Sequence, residues 1–153
     1  MEAANDLTFN LAHAKDRGML GISVARAVGV DIESVQPIEV LDVARDFFSP
    51  DEVRALISTG PDDLLAAFYR CWTRKESFLK ARGDGLSFPL AAFDVSIEEN
   101  APGMSGASLL LACRDAPEEA SRWTTIGLRC GEGYAAALTA AGRGWRLVEW
   151  DGF

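Results

Sequence analysis

Asp31 and Glu33 stand two residues apart in the short apolar run Val28–Glu33. Two is the side-chain period of a β-strand, so both carboxylates leave one face while Val30 and Ile32 leave the other. Carboxylates converging on one spot repel unless water or a cation lies between them. A small set of hard oxygen ligands suits Mg2+, which keeps phosphate and water in its remaining positions. The alternative is a solvent-exposed acidic strand end before the turn at Ser34. Further along, Glu76 and Lys80 share a helix face at a spacing of four, with Trp72 one turn earlier on nearly the same stripe. Spacing alone makes them a surface pair contributing about 0.3–0.5 kcal/mol. Their surroundings are unusual, because Arg70, Arg74, Lys75, Lys80 and Arg82 face the single acid Glu76. That segment reads as a local cationic patch or as a solvated helix face. His13, the only histidine, is either incidental or, beside Lys15, able to meet a phosphate.

The elements that must carry these groups follow from periodicity. Leu7–Leu11, Leu20–Arg26 and Val28–Glu33 have the alternating or β-branched pattern of strands, with Gly18 and Gly21 marking a bend between the first two. Ile38–Phe48 has helical spacing. Ser49-Pro50-Asp51-Glu52 is a capping box with proline at the first helical position, which starts a second helix running to about Ile57. The longest helix is expected over Asp62–Arg82, with Leu64, Leu65, Phe68, Trp72 and Leu79 on its core stripe and Gly83 as its stop. Strands are expected again at Phe93–Glu98, Ser108–Cys113, Trp123–Arg129, Tyr134–Thr139 and Trp145–Trp150. Strands, helices, then strands predict an α+β fold, an antiparallel sheet packed against one long and two shorter helices. Residues 1–153 are expected to form a single domain.

Composition narrows the partners. A net charge of -8 argues against general affinity for nucleic acid or anionic membranes. Cys71, Cys113 and Cys130 are far apart and odd in number, which reads as reduced packing cysteines rather than zinc ligands or disulfides. The polar amino terminus is no signal peptide, and the apolar runs are too short to span a membrane, so a soluble, cytoplasmic chain is expected.

Three stretches in order resemble one family. Val28-Gly29-Val30-Asp31-Ile32-Glu33, Phe47-Phe48-Ser49-Pro50-Asp51-Glu52, and Trp72-Thr73-Arg74-Lys75-Glu76-Ser77-Phe78-Leu79-Lys80-Ala81 followed by Gly83-Asp84-Gly85-Leu86 are similar to the motifs of the 4′-phosphopantetheinyl transferase superfamily. Phe9-Asn10-Leu11-Ala12-His13 and Gly85-Leu86-Ser87-Phe88-Pro89-Leu90 resemble the surfactin-type subgroup, and Gly133-Tyr134-Ala135-Ala136-Ala137 looks like the family's late strand. The likeness is to the carboxy-terminal half of those longer proteins, with the amino-terminal half absent.

The resemblance implies Mg2+-dependent transfer of phosphopantetheine from coenzyme A to a serine of an acyl or peptidyl carrier protein, releasing 3′,5′-ADP. It implies that Asp31, Glu33 and Glu76 bind Mg2+, and that Lys80 contacts phosphate and helps the leaving group. It further implies that Lys75 lies near the pyrophosphate or adenosine, that His13 approaches the 3′-phosphate, and that Trp72 is a packing residue. Glu76 is the base candidate, directly or through water. Phe47, Phe48 and the helix from Ser49 are expected to receive the carrier protein, with Arg54 and Arg74 as its basic contacts. Ala12 and Ala14 depart from the family's usual hydroxyl side chains beside the histidine. The competing readings are a non-catalytic module that binds coenzyme A or a carrier protein, and a metal-dependent phosphate hydrolase. A half-protein is also expected to self-associate as a homodimer or homotrimer.

Overall fold

The computed structural model of the chain describes residues 6–99 and 108–152, with Leu86 described by its backbone alone. Its elements run β1 (Leu7–Ala14), β2 (Arg17–Val24), β3 (Val28–Ser34), α1 (Val40–Phe47), α2 (Pro50–Ser58), α3 (Pro61–Arg82), β4 (Phe93–Val95), β5 (Leu110–Cys113), the single turn α4 (Glu119–Arg122), β6 (Trp123–Leu128) and β7 (Tyr134–Ala141). Two 3-10 turns, Gly85–Ser87 and Leu90–Ala92, join α3 to β4. The α+β class holds, but the strands form three antiparallel sheets rather than one: β1-β2, β3-β7-β6 and β4-β5.

The helix starts and stops follow local chemistry. Ser49 Oγ accepts from Glu52 N at 3.2 Å and Glu52 Oε2 accepts from Ser49 N at 3.0 Å, closing the capping box of α2. Gly83 ends α3 at φ 79°, a left-handed conformation that glycine adopts without Cβ strain.

Helix α3 lies across the three-stranded sheet, and the contact is closest at Gly29. A Cβ on Gly29 would fall on the carbonyl oxygen of Ser77 and the amide nitrogen of Ala81. Only a glycine lets the backbones of β3 and α3 meet this closely. The face of β3 that meets α3 carries Gly29, Asp31 and Glu33. The other face, Val28, Val30 and Ile32, packs against Ala12 and Ala14 of β1 and Ala136, Leu138 and Ala140 of β7. Asn10 Oδ1 accepts from Val30 N at 2.9 Å, pinning the β1-β2 hairpin to β3. Gly21 faces Val30 Cγ1 in the same contact, so it belongs to the middle of β2.

Two further expectations fail. The β1-β2 bend is at Lys15 and Asp16, with Lys15 at φ 51°, and Gly18 and Gly21 lie inside β2. Trp145–Trp150 is not a strand, because its apolar residues share no continuous buried face. Trp145 and Leu147 pack against the core that Val28, Val30 and Ile32 form with β1 and β7, while Val148 and Trp150 are exposed.

Gly29→Ala should destabilise the fold by about 3 kcal/mol or more, the upper range for overpacking, since the obstacle is backbone and cannot rotate away. Urea unfolding monitored by circular dichroism measures it, and a variant as stable as the parent would refute the helix–strand contact.

Candidate active site

The close approach at Gly29 brings Glu76 and Lys80 of α3 over the face of β3 that bears Asp31 and Glu33. Lys80 Nζ donates to Asp31 Oδ1 at 2.7 Å. The other oxygen, Asp31 Oδ2, is buried with no hydrogen-bond partner. Burial raises the Asp31 carboxyl to about 7. The hydrogen bond and charge of Lys80 pull it down, while Glu33 and Glu76 push it further up. Glu33 is raised as well, by burial first, against the charge of Lys80 and a hydrogen bond from Trp72. Glu76 is raised by burial, lowered by Lys80 and raised by Glu33. A single ammonium thus serves three mutually repelling carboxylates.

That arrangement rejects the solvent-exposed strand end for Asp31, which is 4% exposed. An isolated buried carboxylate is costly and survives where positive charge can reach it. Among the described residues no three His, Cys, Asp or Glu side chains converge closely enough to hold a metal ion as they stand. Lys80 currently takes the Asp31 oxygen that faces it. The orphaned Asp31 Oδ2, the hard oxygen donors and the unmet negative charge nevertheless fit a small divalent cation.

Trp72 packs among Phe47, Phe48 and Phe68, at ring separations of 5.9, 6.1 and 5.9 Å. It is the packing residue expected.

Other expected site residues lie elsewhere. Lys75 is fully buried, ion-paired to Glu52 at 2.8 Å and donating to the carbonyls of Leu90 and Phe93. The placement of Lys75 beside a bound pyrophosphate or adenosine is therefore corrected: its three N–H donors are already spent inside the protein. The rest of the cationic patch is also paired or buried. Arg70 pairs with Asp63, Arg82 with Asp84, and Arg74 is 2% exposed with Nη1 donating to Ser96 O. Burial lowers Arg74 to about 10. Arg74 is thus removed from any docking surface, whereas Arg54 remains exposed beside Asp51. Phe47 is half-exposed and Phe48 is buried. His13 is on the outward face of β1, away from β3 and the carboxylates.

The sequence model of the 4′-phosphopantetheinyl transferase superfamily matches residues 27–139, from β3 through the helices and into β7. The chain belongs to this superfamily. Among its relatives, the transferase HetI of Nostoc sp. is 30% identical over 149 residues, covering 97% of this chain and 57% of HetI. The transferase Sfp of Bacillus subtilis is 37% identical over 95 residues, covering 62% of this chain and 42% of Sfp. These agree with a surfactin-type member. The chain spans about half the length of the curated relatives it matches. The holo-[acyl-carrier-protein] synthase of Thermotoga maritima shares the fold, with a TM-score of 0.50 at 18% identity over 76% of this chain and 62% of that one. Among the described residues no helix is long and apolar enough to cross a membrane.

In the metal-free protein, Asp31 gives a pH signature. Its folded pKa, about 7, is above the ordinary aspartate value of 3.8, so the folded state binds the extra proton. Stability is highest below about pH 4 for this group and is lost as pH rises through about 7. Asp31→Asn should flatten this loss between pH 5 and pH 8, read as the urea midpoint at each pH without divalent ions. An unchanged slope would show that Asp31 titrates normally.

Proposed function

We propose that this chain carries the catalytic half-site of a 4′-phosphopantetheinyl transferase, moving phosphopantetheine from coenzyme A to a serine of an acyl or peptidyl carrier protein and releasing 3′,5′-ADP. The observation that carries the reading is the buried, half-unpartnered Asp31 held beside Glu33, Glu76 and Lys80 in a chain of this superfamily. Asp31, Glu33 and Glu76 would hold Mg2+, which when bound neutralises charge on the pyrophosphate.

The chain's own groups divide the remaining work. The carrier serine oxygen forms a bond to the phosphorus that bears pantetheine, and the bond from that phosphorus to the bridging oxygen breaks, leaving with 3′,5′-ADP. Glu76, whose carboxyl is raised by burial, lowered by Lys80 and raised by Glu33, is the group proposed to take the serine proton, directly or through a water. Lys80, with its side chain 31% exposed, can turn from Asp31 toward the leaving phosphate and stabilise the charge that develops there. His13 remains the group proposed for the 3′-phosphate.

The assembly follows from the hairpin. Leu7, Phe9 and Leu11 stand opposite Val24, Ile22 and Leu20 across the β1-β2 register, and all six are more than half exposed. A contiguous apolar sheet face of this kind marks an interaction surface. Two copies of the chain would cover it about a two-fold axis, with a trimer as the alternative. His13 stands at the end of the same outward face, next to where the partner would sit.

Mass spectrometry of an apo carrier protein incubated with coenzyme A, Mg2+ and the chain tests the activity. A gain of one phosphopantetheine is expected. Asp31→Ala and Glu76→Gln should each lower transfer by about 100-fold or more, and Lys80→Ala should lower kcat more than it raises KM for coenzyme A. Binding of coenzyme A or carrier protein without any mass gain would instead assign a non-catalytic module.

Light scattering across concentration tests assembly, with a dimer or trimer expected for the parent chain and a monomer for Phe9→Lys. A parent that stays monomeric at every concentration would refute self-association through the hairpin.

A further inference from the structure

Glu76 is flanked in the chain by two side chains that solvent does not reach. On one side, Lys75 Nζ donates to Leu90 O at 2.7 Å and Phe93 O at 2.6 Å, pairs with Glu52 Oε2 at 2.8 Å, and stands 4.2 Å from the centre of the Phe93 ring. Glu52 is equally committed, since Oε2 also caps Ser49 N and Oε1 accepts from Val95 N at 2.8 Å. The pair therefore fastens α3 to the start of α2 and to β4. On the other side, Ser77 Oγ meets Thr139 Oγ1 at 2.9 Å, and Thr139 Oγ1 meets Thr125 Oγ1 at 2.8 Å. Ser77, Thr139 and Thr125 are all fully buried.

Gly29, Thr139 and Thr125 form one row across β3, β7 and β6. The helix is thus seated on this row by a close backbone contact at one strand and a hydroxyl chain over the other two. Consecutive helical side chains point about 100° apart, so Lys75 and Ser77 hold opposite flanks of α3 with Glu76 between them. Rotation of α3 about its axis, or sliding along it, breaks one anchor or the other. Buried ion pairs contribute little to stability compared with well-packed apolar groups, and setting a register is their better-attested use.

We propose that Lys75 with Glu52, and Ser77 with Thr139 and Thr125, are positioning residues that fix the rotation of α3 and so hold Glu76 against Asp31 and Glu33. None of them touches coenzyme A. The inference rests on the reading that these three carboxylates serve a divalent cation.

The test uses the full chain and Mn2+ as the probe, with binding read from loss of the free-ion electron paramagnetic resonance signal. Glu52→Gln breaks the charge pair at nearly constant shape. Thr139→Val removes the hydroxyl link at nearly constant volume, and Thr139→Ser restores it. Glu52→Gln and Thr139→Val should each weaken Mn2+ binding about tenfold or more, with Thr139→Ser within about twofold of the parent. Where transfer is measurable, kcat should fall with KM for coenzyme A unchanged.

The proposal is overturned if folded Thr139→Val melts at a lower temperature yet keeps parental Mn2+ affinity and kcat, which would make the chain of hydroxyls merely structural. It is also overturned if Lys75→Met raises KM for coenzyme A while Glu52→Gln does not, since Lys75 would then be a ligand contact. A parent chain that binds Mn2+ but transfers nothing removes the proposed function and leaves the Mn2+ titrations to judge the positioning. A parent that binds no Mn2+ removes the positioning for a cation.

Discussion

The site depends on one steric constraint, the absence of a side chain at Gly29. Because the backbones of β3 and α3 meet there, residues two and four further along β3 come to face the helix side chains at and beside the contact. Asp31 and Glu33 meet Glu76 and Lys80 for that reason. Any residue larger than glycine would lift the helix, and the carboxylates would be solvated separately rather than coupled.

The coupling leaves the site electrostatically unbalanced. Lys80 answers one oxygen of Asp31, the second oxygen is buried without a partner, and all three carboxyls are held above their ordinary values. A fold optimised only for stability would have neutralised or exposed Asp31. Instead its surroundings are rigid. An aromatic cluster steadies Trp72 behind Glu33, and the anchors at Lys75 and Ser77 stop α3 from relaxing away. Buried groups whose pKa values are pushed upward together beside one lysine mark a candidate functional site.

The same helix shows how one composition serves two purposes. The basic residues of α3 look in sequence like a landing surface for an anion. In the fold, Arg70, Arg74 and Lys75 donate to the Ile97 carbonyl, the Ser96 carbonyl and Glu52, so they tie the helix to its neighbours. Only Lys80 of this group stays by the carboxylates. The surface that does face outward is apolar, the outer face of the β1-β2 hairpin, where alternation along both strands places six large side chains opposite one another.

Much of this was legible in the residues themselves. The period-two pattern of Val28–Glu33 put Asp31 and Glu33 on one face, the capping box marked the start of α2, Gly83 marked the end of α3, and the ordered motifs pointed to the superfamily, because these features depend on neighbours a few residues apart. Tertiary structure alone decided the rest. Whether a lysine at a given helix position meets a ligand or a buried glutamate depends on which elements pack against it, and Glu52 is far from Lys75 in the chain. The apolar residues of Trp145–Trp150 line no single face and found no ladder partner, so the segment did not become a strand. The split into three sheets, the burial of Asp31 and the outward placement of His13 all follow from long-range packing, which periodicity along a single segment cannot encode.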